Sequence, residues 1–224
     1  MTEQSPDSHR AAEYWESRYR ENGRSWSGKV NVALEREVAG VNPGTALDLG
    51  SGEGGDALWL AHNGWRVTAV DISPTALSIG AAAQLPGDDI TWVAADLAEW
   101  QPPTQYDLVS SCFLHSTVEL PREKILRTAA RAVAPGGLFI TIGHAGIPPW
   151  AMKEHHNHGG NGSHGPADLP TPEVVFASIF HDNPHTHETD WTIVTSALIG
   201  RSVTLPDGTM SVIEDSVLSL RRHI

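Results

Sequence analysis

The chain has a single cysteine, Cys112, among 224 residues, which excludes an intrachain disulfide and any zinc site built on several thiolates. Basic residues are scarce as well: 15 Lys and Arg stand against 27 Asp and Glu, for a formal net charge of −12. Nucleic acids and anionic membrane surfaces are recognised through clustered cations, so neither is expected as a partner. No run approaches the roughly 20 apolar residues of a membrane span. The first residues, MTEQSPDSHRAAEYWESRYRENG, lack the apolar core of a secretory signal. These absences point to a cytoplasmic protein whose ligands are small and neutral or cationic. Hydrophobic residues make up 40% of the chain, enough for a packed core, and the length suits one domain over residues 1–224.

What is present has a rhythm. Ser8 to Glu21 reads as an amphipathic helix with an aromatic stripe of Tyr14, Trp15 and Tyr19. TALDLG (45–50) is a short buried strand, followed by a helix over 56–63 that Gly64 ends. WRVTAVD (65–71) is a second strand, and Ser73 with Pro74 caps and opens the next helix, to about Gln84. ITWVAAD (90–96) and YDLVSSCFLH (106–115) give strands three and four. Pro121–Val133 is a helix, PGG (135–137) a turn, and LFITIGH (138–144) strand five. Such alternation implies right-handed crossovers and a parallel sheet. After a Gly-, Pro- and His-rich stretch over 145–170, TPEVVFASIF (171–180) resumes as a helix with Thr171 as cap. Two alternating runs then flank LPDG, the signal of an antiparallel hairpin.

The stretch LDLGSGEGGDALWL (47–60) joins strand one to its helix. Gly50, Gly52 and Gly55 spell a dinucleotide-binding turn, with Asp71 at the end of strand two to meet a ribose. A nicotinamide-dependent oxidoreductase is therefore one reading. Asp48, Glu53 and Asp56 oppose it. Two unit charges about 5 Å apart, at an effective dielectric of about 20, interact by about 3 kcal/mol, and a pyrophosphate would meet that as repulsion. A ligand carrying an ammonium and a sulfonium would be attracted. S-adenosylmethionine (SAM) is such a ligand, and glycines allow the backbone to approach its tail. Glu53 itself reads as a solvated loop charge.

At this point a family resemblance is plain. LDLGSGEGG resembles the first motif of class I SAM-dependent methyltransferases, through Asp48, Gly50, Gly52 and Gly54. VTAVDIS, VAADL, YDLVSSCFLH and AVAPGGLFITIG are similar to the motifs that follow, in order and spacing, from about residue 43 to 144. The resemblance implies a Rossmann-like, doubly wound seven-stranded sheet, mostly parallel with a C-terminal antiparallel hairpin. It further implies that Asp71 bridges the ribose hydroxyls, that Asp96 accepts from the adenine amino group, and that the Leu97 amide faces the ring. Ser51, Ile72 and Cys112 fall beside those motifs and are expected at the cofactor. The leading segment resembles small-molecule methyltransferases of the tellurite-resistance and thiopurine type, in which Tyr19 and Trp26 would cover the cofactor or substrate.

The implied organisation is an N-terminal helix and cap over 1–42, a SAM-binding core over 43–144, a His/Gly-rich loop over 145–170 that can act as a lid, and a C-terminal helix and hairpin over 171–224. The implied reaction is methyl transfer from SAM to a small-molecule acceptor through oxygen, nitrogen or sulfur. A SAM-binding module without catalysis is the alternative. Transfer from a sulfonium is an in-line displacement, so the protein mainly supplies position and dryness. His115 and His144, just beyond strands four and five, are the candidate bases. The imidazoles of His155, His156, His158 and His164 lie among glycines and asparagines that supply no rigid geometry, so no metal is expected there.

Overall fold

The computed structural model describes residues 6–22, 28–145, 169–181, 187–205 and 208–224. Seven strands build one sheet: β1 (Thr45–Leu49), β2 (Arg66–Asp71), β3 (Asp89–Ala94), β4 (Tyr106–Cys112), β5 (Val133–His144), β6 (Trp191–Thr204) and β7 (Met210–Arg222). Their order is β3-β2-β1-β4-β5-β7-β6. The first five run parallel, and β7 enters antiparallel between β5 and β6. The chain reverses its direction of travel across the sheet between β1 and β4. In doubly wound sheets the crevice for a ligand opens at such a point, beyond the strands' carboxyl ends.

Alternation along the strands sends side chains to two cores. One side packs Leu47, Leu49, Val109, Phe139, Leu218 and Leu220 against α5 (Arg122–Arg131) and α6 (Pro172–Phe180). The other packs Ala46, Leu108, Leu138, Ile140 and Val217 against α2 (Val32–Glu37) and α3 (Gly55–His62). Each fully buried Leu or Phe contributes about 1.5–3 kcal/mol relative to exposure. Two further helices are α1 (Pro6–Asn22) and α4 (Pro74–Ala83). Ser73 Oγ accepts from the Ala76 amide at 3.1 Å, the cap that its position before Pro74 implies.

Three expectations need correction. The PGG stretch is not a turn ahead of the strand: β5 begins at Val133 and runs through it, with a register shift opposite Tyr106 and Leu108. Gly136 takes a left-handed φ of 79°, which absorbs that irregularity without ending the pairing. The second correction is α2, which has no counterpart in the sequence pattern. Its six residues are too few to show a period; Asn31 caps it by accepting from the Ala33 amide at 2.9 Å, and Leu34 anchors it in the core. Third, Glu53 is buried rather than solvated. Trp26 and the His-rich stretch from Gly146 to Asp168 lie outside the described residues, as do Pro206 and Asp207 of the hairpin turn. Among the described residues no helix is long and apolar enough to cross a membrane.

Candidate active site

The glycine loop is built by the strand ends on either side of it. Gly50, Gly52 and Gly54 all take left-handed φ values, 70°, 52° and 78°, which a side chain would strain. The Gly50 and Ser51 amides donate to the Val70 carbonyl at 2.9 and 3.0 Å. Gly52 N–H donates to Asp71 Oδ2 at 2.8 Å, and Gly54 N–H to the Ser51 carbonyl at 2.9 Å. Four of the amides that could cradle a phosphate are thereby spent inside the protein.

Carboxyl groups gather around the same loop. Asp48 is buried, with Oδ1 accepting from Ser110 Oγ at 3.0 Å across the β1–β4 pair. Its other oxygen, Oδ2, is buried with no hydrogen-bond partner among the described residues. Burial, reinforced by Asp56 and Asp71, raises the Asp48 carboxyl far above the usual carboxylate range, to about 8. Asp56 is also raised, first by burial, although it accepts from the Asn31 amide at 2.6 Å. Cys112 hydrogen-bonds to Asp56; burial and the acids around it push its thiol well above the ordinary value. An orphaned, buried carboxylate oxygen is costly unless something cationic meets it.

Asp71 has both oxygens engaged by backbone donors: Oδ2 by Gly52, and Oδ1 by Ser73 N–H at 2.9 Å. Burial still holds its carboxyl above the ordinary range. Each oxygen keeps a second lone pair for a hydroxyl. Ile72 follows it directly in the loop to α4. Half-buried Asp96 accepts from the Ala98 amide at 2.8 Å, which shapes the turn after β3, while the Leu97 side chain belongs to the core.

Helix α1 lies across this rim and touches three of its loops. Glu16 accepts from Ser73 Oγ at 2.7 Å and from Thr75 Oγ1 at 2.6 Å. Trp15 Nε1 donates to Ser116 Oγ at 3.2 Å, in the loop after β4. Tyr19 is buried, and a Cβ on Gly52 would stand 3.0 Å from its hydroxyl. Gly54 has a different neighbour: a Cβ there would stand 2.4 Å from Trp92 Cη2, so this glycine admits the indole of β3.

The histidines meet beyond β4 and β5. Phe113 takes a left-handed φ of 54°, costly for an aromatic residue. That bend carries Leu114 to Gly50, where a Cβ would meet Leu114 Cδ1 at 2.7 Å, and turns His115 toward β5. His115 Nε2 accepts from the His144 amide at 3.2 Å, and the two rings stack with centroids 5.6 Å apart. Burial first, then Arg122 and His144, lowers the His115 pKa to about 4, so the ring is neutral at physiological pH. His144 Nδ1 stands 3.6 Å from buried Asp215 Oδ1, and Asp215 Oδ2 accepts from Arg201 Nε. Among the described residues no group of three or more His, Cys, Asp or Glu side chains is disposed to hold a metal ion.

Fold and loop together define the class: a Rossmann-like sheet whose first loop offers a buried carboxylate in place of a phosphate cradle. Residues 46–137 match the family described as Methyltransferase domain. A curated relative, the 2-heptyl-1-hydroxyquinolin-4(1H)-one methyltransferase of Mycobacteroides abscessus, is 33% identical over 115 residues, 47% of this chain and 49% of that protein. The chain thus spans about half the length of the curated relatives it matches. Two solved structures share the fold across nearly the whole chain. N-methyltransferase NodS from Bradyrhizobium japonicum, in complex with S-adenosyl-L-homocysteine (SAH), is 16% identical, with TM-score 0.64 and coverage of 95% and 98%. Magnesium protoporphyrin IX methyltransferase from Synechocystis, with bound SAM, is 17% identical, with TM-score 0.62 and coverage of 99% and 100%.

Sequence reasoning gave no role to Ser110, Arg122, Arg201, Asp215 or Glu16. Asp56 carried a signal, as a third carboxylate in the glycine stretch. Asp215 faces His144 only because β7 inserts beside β5, a register that no local pattern encodes.

Proposed function

We propose that the chain transfers the methyl group of SAM to a small-molecule acceptor, in the cytoplasm, with residues 1–224 acting as one catalytic domain. One observation carries the reading: the glycine loop's amides are fastened internally, while Asp48 Oδ2 is left buried and unpartnered among the described residues. A dinucleotide's pyrophosphate needs the reverse arrangement. The donor's ammonium suits Asp48, and Gly50 and Gly52 leave room for its amino-acid tail beside Ser51. Asp71 would receive the ribose hydroxyls, with Ile72, Asp96 and the Leu97 amide around the adenine. Tyr19, with Trp26, would cover the donor, and Cys112 and Gly54 would support the loop from behind. When bound, SAM supplies the activated methyl group. The chain's own work is to align the acceptor and exclude water.

At the acceptor end, His115 would act as a neutral hydrogen-bonding wall, since its Nε2 is already engaged. His144, backed by Asp215, would receive a proton from acceptors that must lose one. The test is a titration of SAM and of NADH against tryptophan fluorescence, followed by incubation with labelled SAM and a panel of phenols, amines and thiols. SAM binding with label transferred to an acceptor is the expected result. A response to NADH alone would falsify the methyl-transfer reading, and tight SAM binding with no acceptor ever labelled would favour a binding module.

A further inference from the structure

Beside the histidines lies a narrow cleft lined by His115, Arg122, Thr141, Gly143, His144 and Ser216 together with Pro170, Val175 and Leu218. None of those lining residues is acidic. Arg122, the first residue of α5, is the cleft's permanent charge. Its Nε is buried and without a partner among the described residues, and its Nη2 makes only a long 3.4 Å contact to Thr141 Oγ1. Glu123, the acid that acts on it, is exposed and pairs with Arg127 instead, at 3.7 Å. In a chain of net charge −12, a half-buried guanidinium with no carboxylate against it among the described residues is conspicuous. Arginine is retained in such places where a planar anion is to be gripped.

We propose that this cleft binds the acceptor's reacting head as an oxyanion, so that the acceptor class is acidic hydroxyl compounds: phenols, enols and N-hydroxy compounds. The inference rests on the methyl-transfer reading above. Three observations converge. Arg122 supplies a cation where the acceptor would sit. His115 is a poor proton acceptor, because its Nε2 already takes the His144 amide. The cleft lies one residue along the chain from the glycine loop's neighbour, since Leu114 packs on Gly50 and His115 follows it. The cleft is narrow, so it would meet only the hydroxyl-bearing head and leave the remainder outside. An acidic hydroxyl gives its proton to solvent or to His144 before or on binding. Its oxygen then forms the new bond to the methyl carbon as the carbon–sulfur bond breaks, and that bond's electron pair stays on sulfur. A negative nucleophile and a positive donor become a neutral ether and a neutral thioether.

The probe is 4-nitrophenol, whose absorbance reports whether the bound species is ionised, measured with and without SAH on the full chain and on Arg122→Met and Arg122→Lys. Wild-type protein should bind it as the phenolate. Arg122→Met should weaken that binding by about ten- to a hundredfold, Arg122→Lys by less, with SAH affinity unchanged in both. Equal phenolate binding by Arg122→Met with SAH binding intact overturns the proposal. So does capture of the neutral phenol, or the absence of saturable binding by wild type to 4-nitrophenolate, benzoate and benzohydroxamate alike. If SAH fails to bind wild type while phenolate affinity still depends on Arg122, the donor reading falls and the anion site stands.

Discussion

Glu16 of α1 accepts a 2.7 Å hydrogen bond from Ser73, the residue that caps α4. With Thr75 and Arg20 as further partners, this one carboxylate fastens the leading helix to the rim of the site. Burial alone would raise its pKa, but the bonds from Thr75 and Ser73 outweigh that and hold it below the usual range. A lowered folded-state pKa stabilises above the unfolded carboxylate value and is lost as pH falls through the folded one. Acid should therefore release α1 ahead of the core. Glu16→Ala should do the same at neutral pH, costing about 1.5–3 kcal/mol of local stability. Hydrogen exchange read by mass spectrometry checks both, and unchanged protection over 9–21 would argue against the fastening.

Asp48 has the opposite sign. Its folded-state pKa is raised from 3.8 to about 8, so its contribution to the ligand-free protein is full below the unfolded value and fades as pH rises toward 8. At pH 6–7 the group holds its proton, and pairing with an ammonium expels it. Calorimetry of SAM binding in buffers of different ionisation enthalpy should find close to one proton released at pH 6.5, and none for Asp48→Asn.

The first-loop glycines should differ from each other in what they disturb. Gly52→Ala strains a φ of 52° and presses on the Tyr19 hydroxyl, so it should weaken SAM binding more than it lowers stability. Gly54→Ala meets the rigid Trp92 ring and should destabilise by about 1–3 kcal/mol. Thermal unfolding beside SAM titration separates the two, and matching losses for both variants would count against the distinction.

Asp71→Ala removes the acceptor for the Gly52 and Ser73 amides as well as the proposed ribose contact. SAM affinity should fall by about 1.5–3 kcal/mol, with a lower melting temperature. A normal dissociation constant would take Asp71 out of the site.

Gly143 keeps the His115 ring in place: a Cβ would stand 3.0 Å from its Nε2. Gly143→Ala and His115→Ala should each reduce turnover and leave SAM affinity nearly intact. The depressed His115 pKa adds stability that is full above 6.5 and drains as pH falls toward about 4. His115→Ala should therefore flatten the acid limb of the stability curve, and a limb of unchanged slope would contradict the assignment.

The sheet was legible because strands and turns alternate in the sequence with local signals: Ser73–Pro74, Thr171–Pro172 and the Asp-Gly turn each declare a boundary from their own chemistry. The placement of Asp48, the glycines and Asp71 at strand ends was legible for the same reason. What escaped depends on distance in the chain. Glu16 meets Ser73 across 57 positions, and His144 faces Asp215 across 71, read from 215 − 144. Burial of Glu53 also escaped, because a charged residue between glycines looks solvated until the surrounding loops close over it.

Among the described residues β6 pairs only with β7, which comes after it in the chain. During synthesis, then, residues 191–204 emerge before the one strand able to mate with them, and β7 must thread in beside β5 at the same time. A nascent polypeptide halted short of Met210 would display an unmated ribbon carrying Ile193, Val194 and Leu198, apolar residues that stay half exposed even in the finished protein. Chaperone attention and clumping of truncated product should concentrate on that interval of translation.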